Sequence, residues 1–181
     1  STIPPVKIMT LRHDPSTLVP RTTVNGTLYF NAYDGNNCNE LLMSNVSSAG
    51  TPLPKDINSL RSSNPRFLTN VNETLFFSAM DSTANGYELW MSNGTTFGTT
   101  LVKNINPIAN QDSNPRYLTN VNGTLFFWAT DGTSGIELWM SNGTAIGTTL
   151  VKEINPAANA SSTPSYVTNG NGTRFFRPND G

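Results

Sequence analysis

The chain repeats itself, and this repeat limits its possible folds more than any other feature. Copies of an Asn-x-Thr triplet are 47, 50 and 49 residues apart, at Asn25, Asn72, Asn122 and Asn171. Two other landmarks recur in the same order, an EL(L/W)MSN segment from Glu40, Glu88 and Glu137 and a GT-initiated segment from Gly50, Gly98 and Gly147. Such units are small modules that must stack on their neighbours to bury apolar side chains.

The period predicts one repeat domain over residues 1–181. It contains a partial unit at 1–13, full units at about 14–62, 63–112 and 113–161, and a partial unit at 162–181. The segment Pro4 to Met9 looks like an altered copy of the last segment of a unit. One interpretation is that it closes a ring of four units, one of them a strand short, by joining the last hairpin. The alternative is that a second copy of the chain completes that hairpin by strand addition, which would build filaments.

Each unit has the pattern of four short strands. An Asn-Gly dipeptide between apolar runs, as at Asn122-Gly123, is a strong hairpin signal. No segment has the 3.6-residue apolar period of a helix. We therefore predict an all-β fold of tandem four-stranded antiparallel units, each of about 48 residues, packed face to face in a β-propeller-like arrangement. An open β-repeat stack is the alternative.

Adjacent aromatic residues in the second strand of a unit support face-to-face packing. Neighbouring side chains of a strand point to opposite faces of the sheet. The pairs Phe76-Phe77 and Phe126-Phe127 therefore place one ring on each face. A sheet with large apolar groups on both faces must be covered on both.

The charge balance argues against nucleic acid as a partner. Eleven Lys and Arg residues stand against twelve Asp and Glu, and no long basic run occurs. The longest apolar runs, such as Leu125 to Ala129, are too short to cross a bilayer, so we expect no membrane insertion.

The segments ELWMSNGTTFGTTLVKNINP, from Glu88, and VNGTLFFWATDGTSGIELWMSNGTAIGTTLVKEINP, from Val121, resemble the ELWxxDGT repeats, also called hyalin-like. That resemblance covers nearly the whole chain from Val24 onward. It implies a repeated β unit, a secreted or cell-surface location and no assigned catalytic residues. Asn93 and Asn142 replace the Asp of the DGT turn, and Leu42 replaces the Trp in the first repeat.

Asn-x-Ser/Thr triplets that could accept N-linked glycans fall on the predicted hairpin tips. A triplet occurs at the first hairpin turn of every unit and at every turn that follows an EL(L/W)MSN strand. One of them is Asn72-Glu73-Thr74, where the Gly that best suits the turn is absent. Exposed tips would hold a glycan in water. The candidate glycosylation sites are Asn25, Asn45, Asn72, Asn93, Asn122, Asn142, Asn159 and Asn171. Asn-Gly is also a good turn former without any sugar, and that interpretation stays open.

Acidic and aromatic residues recur across the second turn of each unit. Two carboxylates flanking a hairpin are typical of glycoside hydrolysis or of a calcium site, but a glutamate that opens a strand in every copy favours a structural role. The tryptophans, which could stack on sugar rings, suit core packing better. The candidate ligand-binding residues are Asp81, Glu88, Trp90, Asp131, Glu137 and Trp139.

His13 is the single histidine and Cys38 the single cysteine, and neither has a catalytic partner in sequence. We expect a non-catalytic, extracellular, N-glycosylated structural or adhesive repeat protein that self-associates and needs no cofactor, with bound calcium as an alternative. The alternative function is a carbohydrate-binding propeller lectin.

Overall fold

A computed structural model describes residues 21–34, 38–44, 52–81, 86–109, 111–154 and 160–162, together with the backbone of 165–170 and 173–177. All regular elements among these residues are β-strands. The prediction of an all-β chain is confirmed. Within the same ranges, no helix is long and apolar enough to span a bilayer.

The strands form antiparallel meanders in which neighbours in sequence are neighbours in the sheet. Sheet 1 consists of β1 (Arg21–Val24), β2 (Thr27–Tyr33) and β3 (Asn39–Ser44). Sheet 2 consists of β4 (Arg66–Val71), β5 (Thr74–Met80), β6 (Tyr87–Ser92) and β7 (Thr100–Lys103). Sheet 3 consists of β8 (Arg116–Val121), β9 (Thr124–Thr130), β10 (Ile136–Ser141) and β11 (Thr149–Lys152). A separate hairpin pairs β12 (Ser165–Gly170) with β13 (Thr173–Arg177).

The first hairpin of each sheet turns at the first two residues of the Asn-x-Thr triplet, as the repeat predicts. Asn122 and Gly123 have φ angles of 48° and 84°. Asn72 and Glu73 have φ angles of 47° and 64°, so here a glutamate adopts the left-handed conformation that suits glycine. Two-residue hairpin loops with both central φ angles positive match the right-handed twist of the flanking strands.

Sheet 1 has three strands instead of the four that we predicted. Residues 52–57 lie where sheets 2 and 3 have their fourth strand, but they form no strand. Pro52 and Pro54 have no N–H group to donate to a ladder. Between this segment and β3, the described residues make one backbone hydrogen bond, from Met43 N to Pro52 O at 3.1 Å.

Each first strand of sheets 2 and 3 contains a bulge. The register shifts between Arg66 and Thr69 in sheet 2 and between Arg116 and Thr119 in sheet 3. Phe67 and Tyr117 lie at these bulges with φ angles of 55°. Positive φ is costly for an aromatic residue, so the surrounding ladder must hold these two positions in place.

Sheet 2 packs against sheet 1 on one face and against sheet 3 on the other. Phe77 and Trp90 belong to the core shared with sheet 1, whereas Phe76 and Leu89 belong to the core shared with sheet 3. The prediction that adjacent aromatic residues point to opposite faces is therefore confirmed for Phe76 and Phe77. Among the described strands no ladder joins one sheet to the next, so the sheets do not close. The predicted strand Pro4 to Met9 lies outside the described residues.

Candidate functional site

The glutamate of the EL(L/W)MSN segment is completely buried in all three sheets, at Glu40, Glu88 and Glu137. One Glu88 oxygen accepts a bond from the Ser113 backbone N–H at 3.2 Å. The other accepts bonds from the Ser113 hydroxyl at 2.6 Å and from the Ile105 N–H at 2.9 Å. A buried carboxylate is stable only with such partners.

The same contacts recur in the other sheets. Ser63 donates its N–H and its hydroxyl to Glu40 at 2.8 and 2.6 Å, and Ser162 donates its N–H to Glu137 at 2.9 Å. These serines stand just before the first strand of the following unit. Each glutamate therefore fixes the linker to the next unit, and we call this arrangement the glutamate latch.

Burial in the glutamate latch changes the acidity of Glu88 and Glu40. Burial raises the pKa of Glu88 to about 7, because the hydrogen bonds from Ser113 and Ile105 offset only part of the lost hydration. Burial raises the pKa of Glu40 as well, against the hydrogen bonds from Ser63.

The tryptophans proposed for ligand binding are buried. Trp90 and Trp139 are 5% and 6% exposed and belong to the two inter-sheet cores. The ammonium group of Lys103, from the preceding unit, lies 5.8 Å from the Trp139 ring centroid and donates to Thr148 O at 2.8 Å. We therefore assign Trp90, Trp139, Glu88 and Glu137 to packing and latching, because none of these side chains presents a surface to a ligand.

The remaining acids lie in turns. The Asp131 carboxylate accepts bonds from the N–H and hydroxyl groups of Thr133 and Ser134, at 2.8 to 3.1 Å. Burial opposes ionisation of Asp131, but these bonds outweigh it and lower its pKa. Asp81 accepts a bond from Asn58 Nδ2 through its backbone carbonyl at 2.9 Å. No group of three His, Cys, Asp or Glu residues that could hold a metal ion occurs in the part of the chain that the structure describes.

Cys38 is a half-buried free thiol beside the second turn of sheet 1. Burial and the nearby Asp34 carboxylate raise its pKa, which keeps the thiol protonated. His13, Asn45, Asn159 and Asn171 lie outside the described residues.

All five described glycosylation candidates are exposed at turns. In a meander, the turns after the first and third strands lie at the same end of the sheet, and the turn after the second strand lies at the other. Asn25, Asn72 and Asn122 follow first strands, whereas Asn93 and Asn142 follow third strands. They therefore share one end of their sheets, which we call the tip end.

The side chain of Asn142 has a defined orientation. Its Oδ1 accepts bonds from the Thr144 N–H at 3.0 Å and from the Thr144 hydroxyl at 2.8 Å. Asn93 and Thr95 repeat this pair at 3.1 and 2.8 Å. The turn alone therefore explains both the Asn and the Thr of these triplets. Because all of these bonds use Oδ1, Nδ2 remains free of them.

Asn72 differs from these residues because its Nδ2 is engaged. It donates to Gly123 O, in the corresponding turn of sheet 3, at 3.0 Å. A Cβ atom on Gly123 would lie 2.7 Å from this nitrogen. The two neighbouring turns are therefore in close contact.

A cleft of about 250 Å³ opens at the tip end between sheets 2 and 3. Apolar groups form part of its wall and polar groups of the turns form the rest. Its lining includes Asn72, Phe76, Met91, Ser141, Asn142 and Gly143. The repeat pattern did not predict this cleft, although the change from Tyr29 to Phe76 at equivalent positions of the repeat is a signal for it.

The chain matches no family model, no curated protein and no solved structure. The resemblance to the ELWxxDGT repeats therefore stays a prediction.

Proposed function

We propose that this chain is a non-catalytic, extracellular structural or adhesive repeat protein with N-linked glycans on its tip end. The observation that carries this proposal is the position of the triplets, since all five described asparagines are exposed at one end of the sheets. The recurrent glutamates would be the natural candidates for catalysis, but they are buried and hydrogen-bonded in the glutamate latch.

The contacts between sheets support a radial, propeller-like arrangement. At the first strands, short asparagine side chains bridge the sheets: Asn70 Nδ2 donates to Thr23 O at 3.1 Å, and Asn120 Nδ2 donates to Asn70 O at 3.0 Å. At the outer strands a long lysine makes the bridge, from Lys103 to Thr148 O. The sheets are therefore closer together at their first strands than at their outer strands. Blades that are arranged around an axis have this geometry, with the first strands nearest the axis.

The outward faces of sheets 1 and 3 support self-association. Leu28 of sheet 1 is 38% exposed, whereas its equivalent in sheet 2, Leu75, is fully buried. Val151 of sheet 3 is 42% exposed, whereas Val102 is 5% exposed beneath the next sheet. The equivalents of Leu28 and Val151 are covered where two sheets of the chain meet, so a second copy can cover these exposed residues in the same way, although Leu138 on the same face of sheet 3 is already buried. A head-to-tail contact of this kind yields filaments unless it closes.

Mass spectrometry tests the glycan part of this proposal. The chain is produced in a eukaryotic secretory host, and its intact mass is measured before and after enzymatic removal of N-linked glycans. We expect a loss of several glycans, with Asn25, Asn93, Asn122 and Asn142 occupied in site-resolved spectra. An unchanged mass would contradict the proposal.

Electron microscopy tests the architecture and the self-association together. In negative stain, we expect fibres at high protein concentration. We also expect class averages of single particles with sheets arranged around a centre. Monodisperse particles at all concentrations would contradict the self-association, and sheets stacked in a straight row would contradict the radial arrangement.

A second candidate function is carbohydrate binding, and an exposed aromatic pair favours it. The rings of Phe67 and Tyr117 are 5.8 Å apart, and both side chains remain exposed, by 38% and 56%. Both residues have strained positive φ angles, and such strain is concentrated at functional sites. Glycan-array binding by the parent chain that is lost in Phe67→Ala and Tyr117→Ala would support this candidate. The absence of binding by the folded parent would exclude it.

A further inference from the structure

The cleft at the tip end between sheets 2 and 3 has Phe76 where the equivalent place between sheets 1 and 2 has Tyr29. Phe76 lines it, with its Cζ 3.3 Å from where a Cβ of Gly143 would be. At the equivalent position between sheets 1 and 2, the residue is Tyr29, and its hydroxyl oxygen lies 2.6 Å from where a Cβ of Gly94 would be. The tyrosine hydroxyl thus occupies space that remains empty beside Phe76.

Two glycosylation candidates border this empty space, one from each sheet. Asn72 belongs to the first turn of sheet 2, and Asn142 to the turn after the third strand of sheet 3. Only Asn142 has an uncommitted nitrogen, because Asn72 Nδ2 donates to Gly123 O. The bonds from Thr144 hold the Asn142 amide through Oδ1 and would persist after a sugar is attached to Nδ2.

The size and lining of the cleft match a single sugar ring. A volume of about 250 Å³ is below the range of drug-sized ligand pockets. Phe76, Met91 and Val71 belong to its apolar side, while Asn72, Thr74 and Asn142 belong to its polar side. A pyranose has the same division, with C–H groups on its faces and hydroxyl groups around its edge. An N-acetyl group adds a methyl and an amide.

We propose that this cleft seats the first N-acetylglucosamine of the glycan on Asn142 and that the sugar joins sheet 3 to sheet 2. The inference rests on the proposed N-glycosylation. A tethered sugar needs little intrinsic affinity, because its attachment replaces a bimolecular encounter by an intramolecular one. By contrast, the glycan on Asn93 has no equivalent seat, since the Tyr29 hydroxyl fills it.

Trimming the glycans tests this proposal with the glycosylated chain itself. One enzyme cleaves between the first two sugars and leaves one N-acetylglucosamine at each site. Another hydrolyses the bond to the asparagine and leaves Asp. The melting temperatures of the two products are compared in the parent chain, in Phe76→Tyr and in Tyr29→Phe. Phe76→Tyr introduces the side chain that the chain already uses between sheets 1 and 2, and Tyr29→Phe removes it there.

In the parent, we expect the single-sugar form to melt about 2–4 °C above the sugar-free form, which is the usual scale for one favourable contact in a protein of this size. This difference in melting temperature should disappear in Phe76→Tyr. It should increase in Tyr29→Phe, where loss of the tyrosine hydroxyl opens an equivalent space beside Asn93. An equal difference in the parent and in Phe76→Tyr would overturn the proposal.

A spectroscopic measurement covers the case in which a variant fails to fold. With the acetyl methyl groups labelled with ¹³C, we expect one methyl signal of the single-sugar form to shift upfield because of the Phe76 ring. No shifted signal in the folded parent would overturn the inference while the proposed function stands. A mass spectrum without a glycan at Asn142 would overturn both for this site.

Discussion

At the scale of single residues, the buried glutamate of the glutamate latch has the clearest consequence. Glu88 is inaccessible to water, and its ionised form depends on three donated hydrogen bonds. The sequence favours a structural role for this residue, because it opens a strand in every copy. The residues that it binds could not be predicted, because Ser113 is 25 positions away and only the fold brings the two together.

The first prediction concerns pH. The pKa of Glu88 is about 7 in the folded protein and near 4.5 in the unfolded chain. The folded state therefore holds the proton more tightly, and the stability contributed by this group is complete below pH 4.5 and is lost as the pH rises to 7. The loss is on the order of 3 kcal/mol. We expect Glu88→Gln to remove this component, which urea unfolding between pH 4.5 and 7.5 would measure.

Comparison with the parent chain is essential, because the lowered pKa of Asp131 acts in the opposite direction at low pH. Below pH 4.5, Glu88→Gln is expected to be less stable than the parent by about 1 kcal/mol, since its amide can accept fewer hydrogen bonds. Because only the parent loses stability as the pH rises to 7, the two free energies of unfolding should cross within the measured range. Glu73→Gln is the matched control, because Glu73 is exposed. An unchanged pH slope in Glu88→Gln would show that this carboxyl group is not the source.

A second residue-scale prediction concerns Lys103. Lys103→Met keeps the aliphatic stem but removes both the bond to Thr148 O and the ammonium group near the Trp139 ring. We expect a loss of about 1 kcal/mol in the free energy of unfolding. Lys152, the equivalent residue of sheet 3, is exposed, so Lys152→Met should cost clearly less. Equal costs in urea unfolding would argue against the inter-sheet lysine contact.

At the scale of elements, the turns were the most predictable part of the chain. Asn-Gly dipeptides gave the first hairpins of sheets 1 and 3 correctly, because positive φ angles are a local requirement. The absence of a fourth strand in sheet 1 also has a local cause, because Pro52 and Pro54 lack an N–H group. The prediction of four strands followed the other repeats instead of these two prolines. The cleft depends on which residues of two sheets meet, and no local rule contains that information.

The turn at Asn72-Glu73 yields the third prediction. Glu73 has a φ of 64°, at a position where sheets 1 and 3 have glycine. Glu73→Gly should stabilise the protein by about 0.5–1 kcal/mol, because relief of backbone strain exceeds the entropy that glycine adds to the unfolded chain. Thermal unfolding would measure this gain.

The reverse substitution in sheet 1 is the control. A Cβ atom on Gly26 would meet nothing within 4 Å, so Gly26→Glu reports the conformational cost alone and should destabilise by a similar amount. If both substitutions lower the melting temperature, the backbone account of this turn is wrong.

At the scale of the whole molecule, the proposed self-association involves the exposed faces of sheets 1 and 3. The fourth prediction is that Val151→Glu weakens the proposed self-association, because it places a charge on an exposed apolar face. We expect the midpoint concentration of association, measured by sedimentation, to rise at least about tenfold, which corresponds to roughly 1.4 kcal/mol.

Ile146→Glu is the matched control, because Ile146 is 93% exposed in a turn at the tip end and lies away from that face. It adds the same charge and should leave association unchanged. Equal effects of the two substitutions would indicate a general effect of charge rather than a contact through the face of sheet 3.

The glutamate latch also determines how the molecule would bear tension. Each carboxylate accepts hydrogen bonds from the residues that lead into the next sheet. A force along the chain therefore acts on these hydrogen bonds one sheet after another rather than on all of them at once. Stretching a single molecule should therefore give a sawtooth of separate rupture events, one per sheet, and a tether built in this way would yield stepwise under load while the remaining sheets stay intact.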